Sequence, residues 1–159
     1  MNQSLEIFSE GKVKFFAQNL QFRKAKVFFN PMRSLDRDLN VLLIGTLSKN
    51  GLIGLDLFGA SGVRGLRLVK ETDKFDKMFI NDIKTVDFID KNIKLNHLSG
   101  KVKSSNFNAF NISKFYDIKF DYIDVDPFGS PIPYLSEVFK LVKNNSIIAE
   151  TATDTAVLY

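Results

Sequence analysis

The run "DYIDVDPFGSP" (residues 121–131) closes an apolar stretch on Asp126, Pro127, Phe128, Gly129, Ser130 and Pro131. A carboxylate at a strand end can accept a hydrogen bond from an exocyclic amine, and the Pro127 carbonyl can accept a second. Proline has no N–H to compete for these acceptors, and it stiffens the turn. Two such acceptors would hold a nitrogen with its lone pair aimed at an electrophile, while Phe128 would stack on a nucleobase. A plain helix-starting turn explains part of the run, with Ser130 as N-cap and Pro131 in the first helical turn. It leaves Asp126 and Phe128 without a purpose.

A second group lies upstream. In "DLFGASGVRG", Gly59, Gly62 and Gly65 follow an apolar run and open a helical pattern. Glycines let backbone approach a ligand closely, and a helix N-terminus offers free N–H groups. A tight strand–helix turn without any ligand is the alternative. The spacing is not the G-x-G-x-x-G of dinucleotide binders, so a nicotinamide cofactor is not favoured. Asp82 ends the next apolar run, 23 residues after Gly59. An acid there can accept from the two hydroxyls of a ribose, or simply cap the next helix. Asn108 and Ala109 would frame an adenine with an amide and a backbone N–H.

These positions need an open sheet behind them. Short apolar runs at 52–59, 77–82, 101–107, 119–128 and 146–154 read as strands. Helical patterns at 61–72, with Ser61 as N-cap, at 84–100, ending at Gly100, and at 134–145 separate them. A further helix from about Asp36 to Lys49 precedes the first strand. Strand–helix alternation with short connections predicts an α/β fold with a parallel sheet. Such sheets bind ligands beyond the carboxyl ends of their strands, where four of the five strand ends carry Asp and the third carries Asn108.

Composition sets the outer limits. With 45% hydrophobic and 25% charged residues, 159 residues suit one domain with a core. The absence of cysteine excludes thiolate metal sites and disulfides, and a single histidine argues against a histidine metal centre, so no metal is expected. No apolar run reaches membrane-spanning length, and the N-terminus lacks a signal-peptide core, which predicts a cytoplasmic protein. The net charge is +4, and residues 1–30 hold five Lys or Arg against two Glu. A basic N-terminal arm of that kind is compatible with a polyanionic partner. The expected division is residues 1–50 as basic arm and helix, and 51–159 as the ligand-binding domain.

Taken in order, "VFFNPMRSLDRDLNVLL", "LFGASGVRGLR", "FINDI", "DYIDVDPFGSPIPYL" and "TATDTA" resemble the tRNA (guanine-26-N2)-dimethyltransferases. That is a class I, Rossmann-like family using S-adenosyl-L-methionine. The resemblance runs from about Val27 to the last residue. It implies transfer of one or two methyl groups to the guanine N2 of tRNA. Arg37 and Arg64 would contact the methionine part of the cofactor, Asp82 the ribose, and Asn108 with Ala109 the adenine. Asp126 would bind the guanine amine, with Phe128 and Phe28 stacking on the base from opposite sides. Three departures stand out. The family usually has Asp-Ala where this chain has Asn108-Ala109; "NPMRSLDRD" transposes Arg and Met and has Asp36 where Asn is common; and family members are about twice as long or more. The expectation is therefore a methyltransferase sheet truncated after its fifth strand, with a C-terminal half arriving as a separate chain or absent. The competing readings are an adenine amino-methyltransferase and a catalytically inactive RNA-binding module.

Overall fold

The computed structural model describes residues 5–18 and 27–153. Arg23, Lys24 and Lys26 of the basic arm therefore lie outside the described residues, as does the end of "TATDTA" beyond Thr153. The start of the chain folds as an antiparallel hairpin of β1 (Glu6–Glu10) and β2 (Val13–Ala17). Val13, Phe15 and Ala17 alternate into the core, so the described start of the expected basic arm, with Lys12 and Lys14, is a hairpin packed on the domain.

After a 3-10 turn at Pro31–Arg33 comes α1 (Ser34–Gly45), then β3 (Leu52–Asp56), α2 (Val63–Thr72), β4 (Phe75–Asn81) and α3 (Val86–Leu95). β5 (Val102–Ser105), a 3-10 segment at Ala109–Phe115, β6 (Phe120–Val125), α4 (Ile132–Phe139) and β7 (Val142–Glu150) complete the order. The five strands β3 to β7 form a parallel sheet in the order β5-β4-β3-β6-β7. Chain order reverses between β3 and β6, which makes their carboxyl ends the switch point. One face of the sheet packs on α1, α2, α3 and the hairpin through Ile44, Leu66, Ile80 and Ile89. The other packs on α4 and the 3-10 segment through Leu55, Ile112, Ile123 and Val138.

Several predicted boundaries move. Ser61 is buried and does not cap α2; the N-cap is Gly62, at φ +79° in the left-handed region, with no side-chain cap. Gly100 does not end α3, because the helix stops at Leu95 and His97 takes the left-handed turn at φ +58°. Pro131 caps α4, and Ser130 Oγ instead accepts from the Ile132 N–H at 3.3 Å. That helix ends at Phe139 and β7 begins at Val142, earlier than the periodicity predicts.

Two asparagines fasten the hairpin. Asn92 Oδ1 accepts from the Phe16 N–H at 2.7 Å, while its Nδ2 donates to the carbonyls of Phe16 at 3.2 Å and Ser61 at 2.8 Å. One helical turn later, Asn96 pairs with the N–H and C=O of Lys14 at 3.0 and 2.6 Å. The amides thus satisfy backbone groups on the free edge of β2. Asn92 also ties that edge to the glycine turn before α2. Replacing Asn92 with alanine leaves buried donors and acceptors unpaired. Asn92→Ala is expected to lower unfolding stability by about 2–3 kcal/mol, read from urea denaturation; a loss within measurement error would contradict the role given to this amide.

Candidate active site

The carboxyl ends of β3, β4 and β6 open onto a cavity of about 490 Å³. Its wall includes Phe28, Arg37, Asp56, Arg64, Asp82, Asp124, Asp126, Pro127 and Phe128. Parallel registry creates its floor: Asp56 on β3 sits opposite Asp124 on β6, so two buried carboxyls meet side by side. Asp126 follows two residues later, just past the strand. Sequence reasoning named only Asp126 of these three. The signal for the others was present, since each acid interrupts an apolar strand at its carboxyl end.

Arg64, in the first turn of α2, is the buried cation among them. Its Nη2 donates to Asp126 Oδ2 at 2.6 Å, and its Nε lies 3.1 Å from Asp124 Oδ2. The second contact is an ion pair without hydrogen-bond alignment, and Asp124 Oδ2 has no hydrogen-bond donor among the described residues. Asp124 Oδ1 accepts from the Tyr122 hydroxyl at 3.3 Å, which in turn accepts from Asn40 Nδ2 at 3.2 Å. Burial is the main influence on both floor acids. It raises Asp56 to about 6, against the partial relief of Arg64 and the Gly65 N–H, and it raises Asp124 well above the ordinary carboxylate range. The same burial acts on Arg64, but the three carboxylates outweigh it and hold the guanidinium charged.

The glycine turn serves packing more than ligand approach. A Cβ on Gly59 would lie 2.3 Å from Ile80 Cγ2, and one on Gly65 would lie 2.8 Å from Ile80 Cδ1. Both glycines let the turn and α2 settle on β4, whereas Gly62 supplies the left-handed turn.

Asp82 reaches the cavity with most of its capacity in use. Its Oδ2 accepts from the Ala60 N–H at 3.1 Å, and its Oδ1 accepts from the N–H groups of Lys84 and Thr85 at 2.8 and 3.1 Å. It both braces the glycine turn and starts α3, and one of its four acceptor sites remains for a hydroxyl. Ile83, which sequence reasoning passed over, is exposed beside it on the cavity wall and offers a flat ligand an apolar surface. Asn108 and Ala109 are not on the wall. Asn108 Oδ1 accepts from the Phe110 N–H at 3.0 Å as a 3-10 cap, and Ala109 is buried in the far core.

Arg37 lines the cavity but is tightly held. It makes a bidentate pair with Glu10 at 2.7 and 2.6 Å, donates to the Asn30 carbonyl at 3.0 Å, and lies over the Phe29 ring. Arg67 joins the same carboxylate at 2.8 Å and also pairs with Asp38 and Glu71. Burial alone would raise Glu10, yet the two arginines bring it below the usual range.

The aromatic pair is closed. Phe28 and Phe128 meet edge to face with centroids 4.9 Å apart, although Phe128 is 82% exposed. A base sandwiched between them needs roughly 7 Å, two contacts of about 3.5 Å, so the rings must part to admit one. The loop beneath Phe128 is pinned. Gly129, at φ +90°, donates to Thr153 Oγ1 at 2.9 Å and accepts from the Thr153 N–H at 3.0 Å. Thr153 also lines the cavity.

The buried acids set a pH dependence. An acid raised on folding adds stability while protonated and loses that contribution as pH rises through its folded value. For Asp56 that loss runs from the ordinary carboxylate value up to about 6, where it is complete, and Asp124 shifts in the same direction. Glu10 and Asp121, both lowered, lose their contribution only as pH falls through their folded values below the ordinary carboxylate range. The melting temperature of the ligand-free protein is therefore expected to fall between about pH 4.5 and about pH 6, and Asp56→Asn to flatten that slope. An Asp56→Asn protein with the full wild-type slope would rule out Asp56 as its source.

Comparison with known proteins agrees with this geometry. Residues 9–159 match the N2,N2-dimethylguanosine tRNA methyltransferase family. The chain is 37% identical over 155 residues to the tRNA (guanine(26)-N(2))-dimethyltransferase of Pyrobaculum aerophilum, covering 94% of this chain and 42% of that relative. It is 41% identical over 136 residues to the corresponding enzyme of Sulfolobus acidocaldarius, covering 84% of this chain and 35% of the relative. The solved structure of Trm1 from Pyrococcus horikoshii with S-adenosyl-L-methionine superposes with a TM-score of 0.85 at 30% identity, over 97% of this chain and 44% of that one. The chain thus spans less than half the length of these relatives. A parallel sheet whose strand ends gather Asp56, Arg64, Asp82, Asp124 and Asp126 in one cavity belongs, with the sequence around it, to the N2,N2-dimethylguanosine tRNA methyltransferase family.

Proposed function

We propose that this chain forms the catalytic part of a tRNA guanine-N2 methyltransferase that uses S-adenosyl-L-methionine. One observation carries the reading: the acid–proline–aromatic turn at 126–128 and the second aromatic, Phe28, share a single cavity with the buried acids and Asp82. The residues present fit the methyl donor. Asp124 Oδ2, buried without a hydrogen-bond donor, suits an ammonium group, and Asp82 with Ile83 suits a ribose beside an apolar ring. When bound, that donor supplies an electrophilic methyl group. Asn108 and Ala109, set back from the cavity, have no support for an adenine role in this arrangement.

Guanine's exocyclic amine is a weak nucleophile because its lone pair is delocalised into the ring. Asp126 addresses this by accepting an amine N–H while the Pro127 carbonyl accepts the other. Orientation and stabilisation of positive charge developing on nitrogen are the gains. Each transfer adds one methyl to the nitrogen and removes one proton, and Asp126 is placed to take that proton. Phe28 and Phe128 replace the stacking a base loses when extruded from folded RNA. Lys12 and Lys14 on the hairpin add positive charge suited to phosphates.

The partner proposed beside tRNA is the remaining part of the enzyme, joined to this chain or separate. Support comes from the relatives' extra length, from β7 as the outer strand of the sheet, and from Leu35, Leu39, Leu42 and Leu43 exposed on α1. The proposed location is the cytoplasm.

Methyl transfer to tRNA transcripts carrying guanine or adenine at position 26, with product nucleosides identified by mass spectrometry, tests the activity. Methylated N2-guanosine is expected. Asp126→Ala is expected to cut turnover at least 100-fold while donor binding persists. Unchanged turnover would remove Asp126 from the chemistry, and adenine methylation would overturn the substrate assignment.

A further inference from the structure

The contact between Arg64 and Asp126 raises a conflict inside the proposed mechanism. Asp126 is the group offered to the guanine amine, yet its Oδ2 already accepts from Arg64 Nη2 at 2.6 Å. A carboxylate neutralised by a guanidinium is a poor acceptor for a weakly polar amine. The pair also gives little help to positive charge forming on that amine. Nearby, Phe28 and Phe128 close on one another across the space a base would occupy. Both contacts with the nucleotide are thus satisfied internally.

The surroundings say what would release Arg64. Its Nε rests 3.1 Å from Asp124, which serves as an anchor, so only the Nη2 edge has to move to leave Asp126. Arg37, the other buried arginine on the wall, is held by a bidentate carboxylate and a backbone carbonyl. Arg64 is therefore the buried arginine with an edge to give to an incoming anion. The amino-acid end of S-adenosyl-L-methionine carries a carboxylate beside an ammonium. The first suits Arg64, and the second suits the acids that Arg64 now neutralises alone.

We infer that Arg64 is a positioning residue that gates the order of binding: it clamps Asp126 until the methyl donor's carboxylate draws its Nη2 edge away, so that Asp126 meets the guanine amine only after the donor is in place. The inference rests on the function proposed above. It gives that site a rule, donor before RNA, that reduces unproductive capture of tRNA by an enzyme with no methyl to transfer. Thermodynamic linkage makes the rule measurable, because donor and RNA must then raise one another's affinity by the same factor.

The test uses binding, in the complete enzyme that contains this chain, with S-adenosylhomocysteine as the probe. Asp126→Asn keeps an acceptor oxygen but ends the ion pair. It is expected to bind the probe about two- to fivefold more tightly than wild type, the size a part-exposed ion pair allows. In wild type the probe is expected to strengthen tRNA binding, and in Asp126→Asn that strengthening is expected to shrink toward none. Arg64→Lys, whose ammonium can stay with Asp124 but cannot span both acids, is the second variant. It is expected to bind tRNA without the probe as wild type does with it. Unchanged or weaker probe affinity in a folded Asp126→Asn, or wild-type tRNA binding indifferent to the probe, overturns the gate alone when the wild-type enzyme methylates guanine. A wild-type enzyme that binds no probe overturns the gate together with the proposed function.

Discussion

One buried guanidinium among three carboxylates is the constraint around which this domain is arranged. Parallel registry between β3 and β6 places Asp56 beside Asp124 at the strand ends, and the chain then adds Asp126 just beyond. Two adjacent carboxyls in a dry site cannot both ionise without compensation. Burial raises both floor acids, and Arg64 moderates the cost without removing it. The result is a cavity with a standing demand for positive charge. A zwitterionic, cationic ligand meets that demand, and it also offers a carboxylate to the arginine.

The rest of the fold holds that cluster in place. Gly59 and Gly65 give α2 the close approach to Ile80 that brings Arg64 over the strand ends. Asp82 braces the same turn from β4 through the Ala60 N–H. On the opposite flank, Glu10 reaches from the hairpin to Arg37 and Arg67, tying α1 and α2 to β1 through one carboxylate. Asn92 and Asn96 secure β2 along its edge. The hairpin is therefore a wall of the site's scaffold. The parts that the proposed function requires to move are the closed Phe28–Phe128 pair and the Arg64 Nη2 edge held by Asp126.

The sheet was legible because its strands are short apolar runs ending in Asp or Asn, separated by helices with clear apolar stripes. Asp126 and Phe128 were legible as surplus chemistry, Phe28 only through the family resemblance, and the three line one cavity. The hairpin was not. Its first strand is largely exposed, and its burial depends on asparagines more than 75 residues away. Ser61 and Gly100 misled because capping preferences are local, whereas Gly62 and His97 take the left-handed turns that packing requires. Asn108 was placed by a pattern of strand ends, but its Oδ1 caps a 3-10 turn and the residue lies off the cavity wall. Asp56 and Asp124 were passed over because neither belongs to a motif, although each interrupts an apolar strand near its carboxyl end. Only the registry of two strands distant in sequence reveals that they are neighbours.

The central claim is that Arg64 is shared between an internal carboxylate and an external one. A crystal structure of the complete enzyme with S-adenosylhomocysteine tests it most directly. The expected result is Arg64 Nη2 on the ligand's carboxylate, Nε still beside Asp124, and Asp126 freed toward the aromatic pair. An Arg64 that keeps its 2.6 Å contact with Asp126 while the ligand fills the cavity would contradict it.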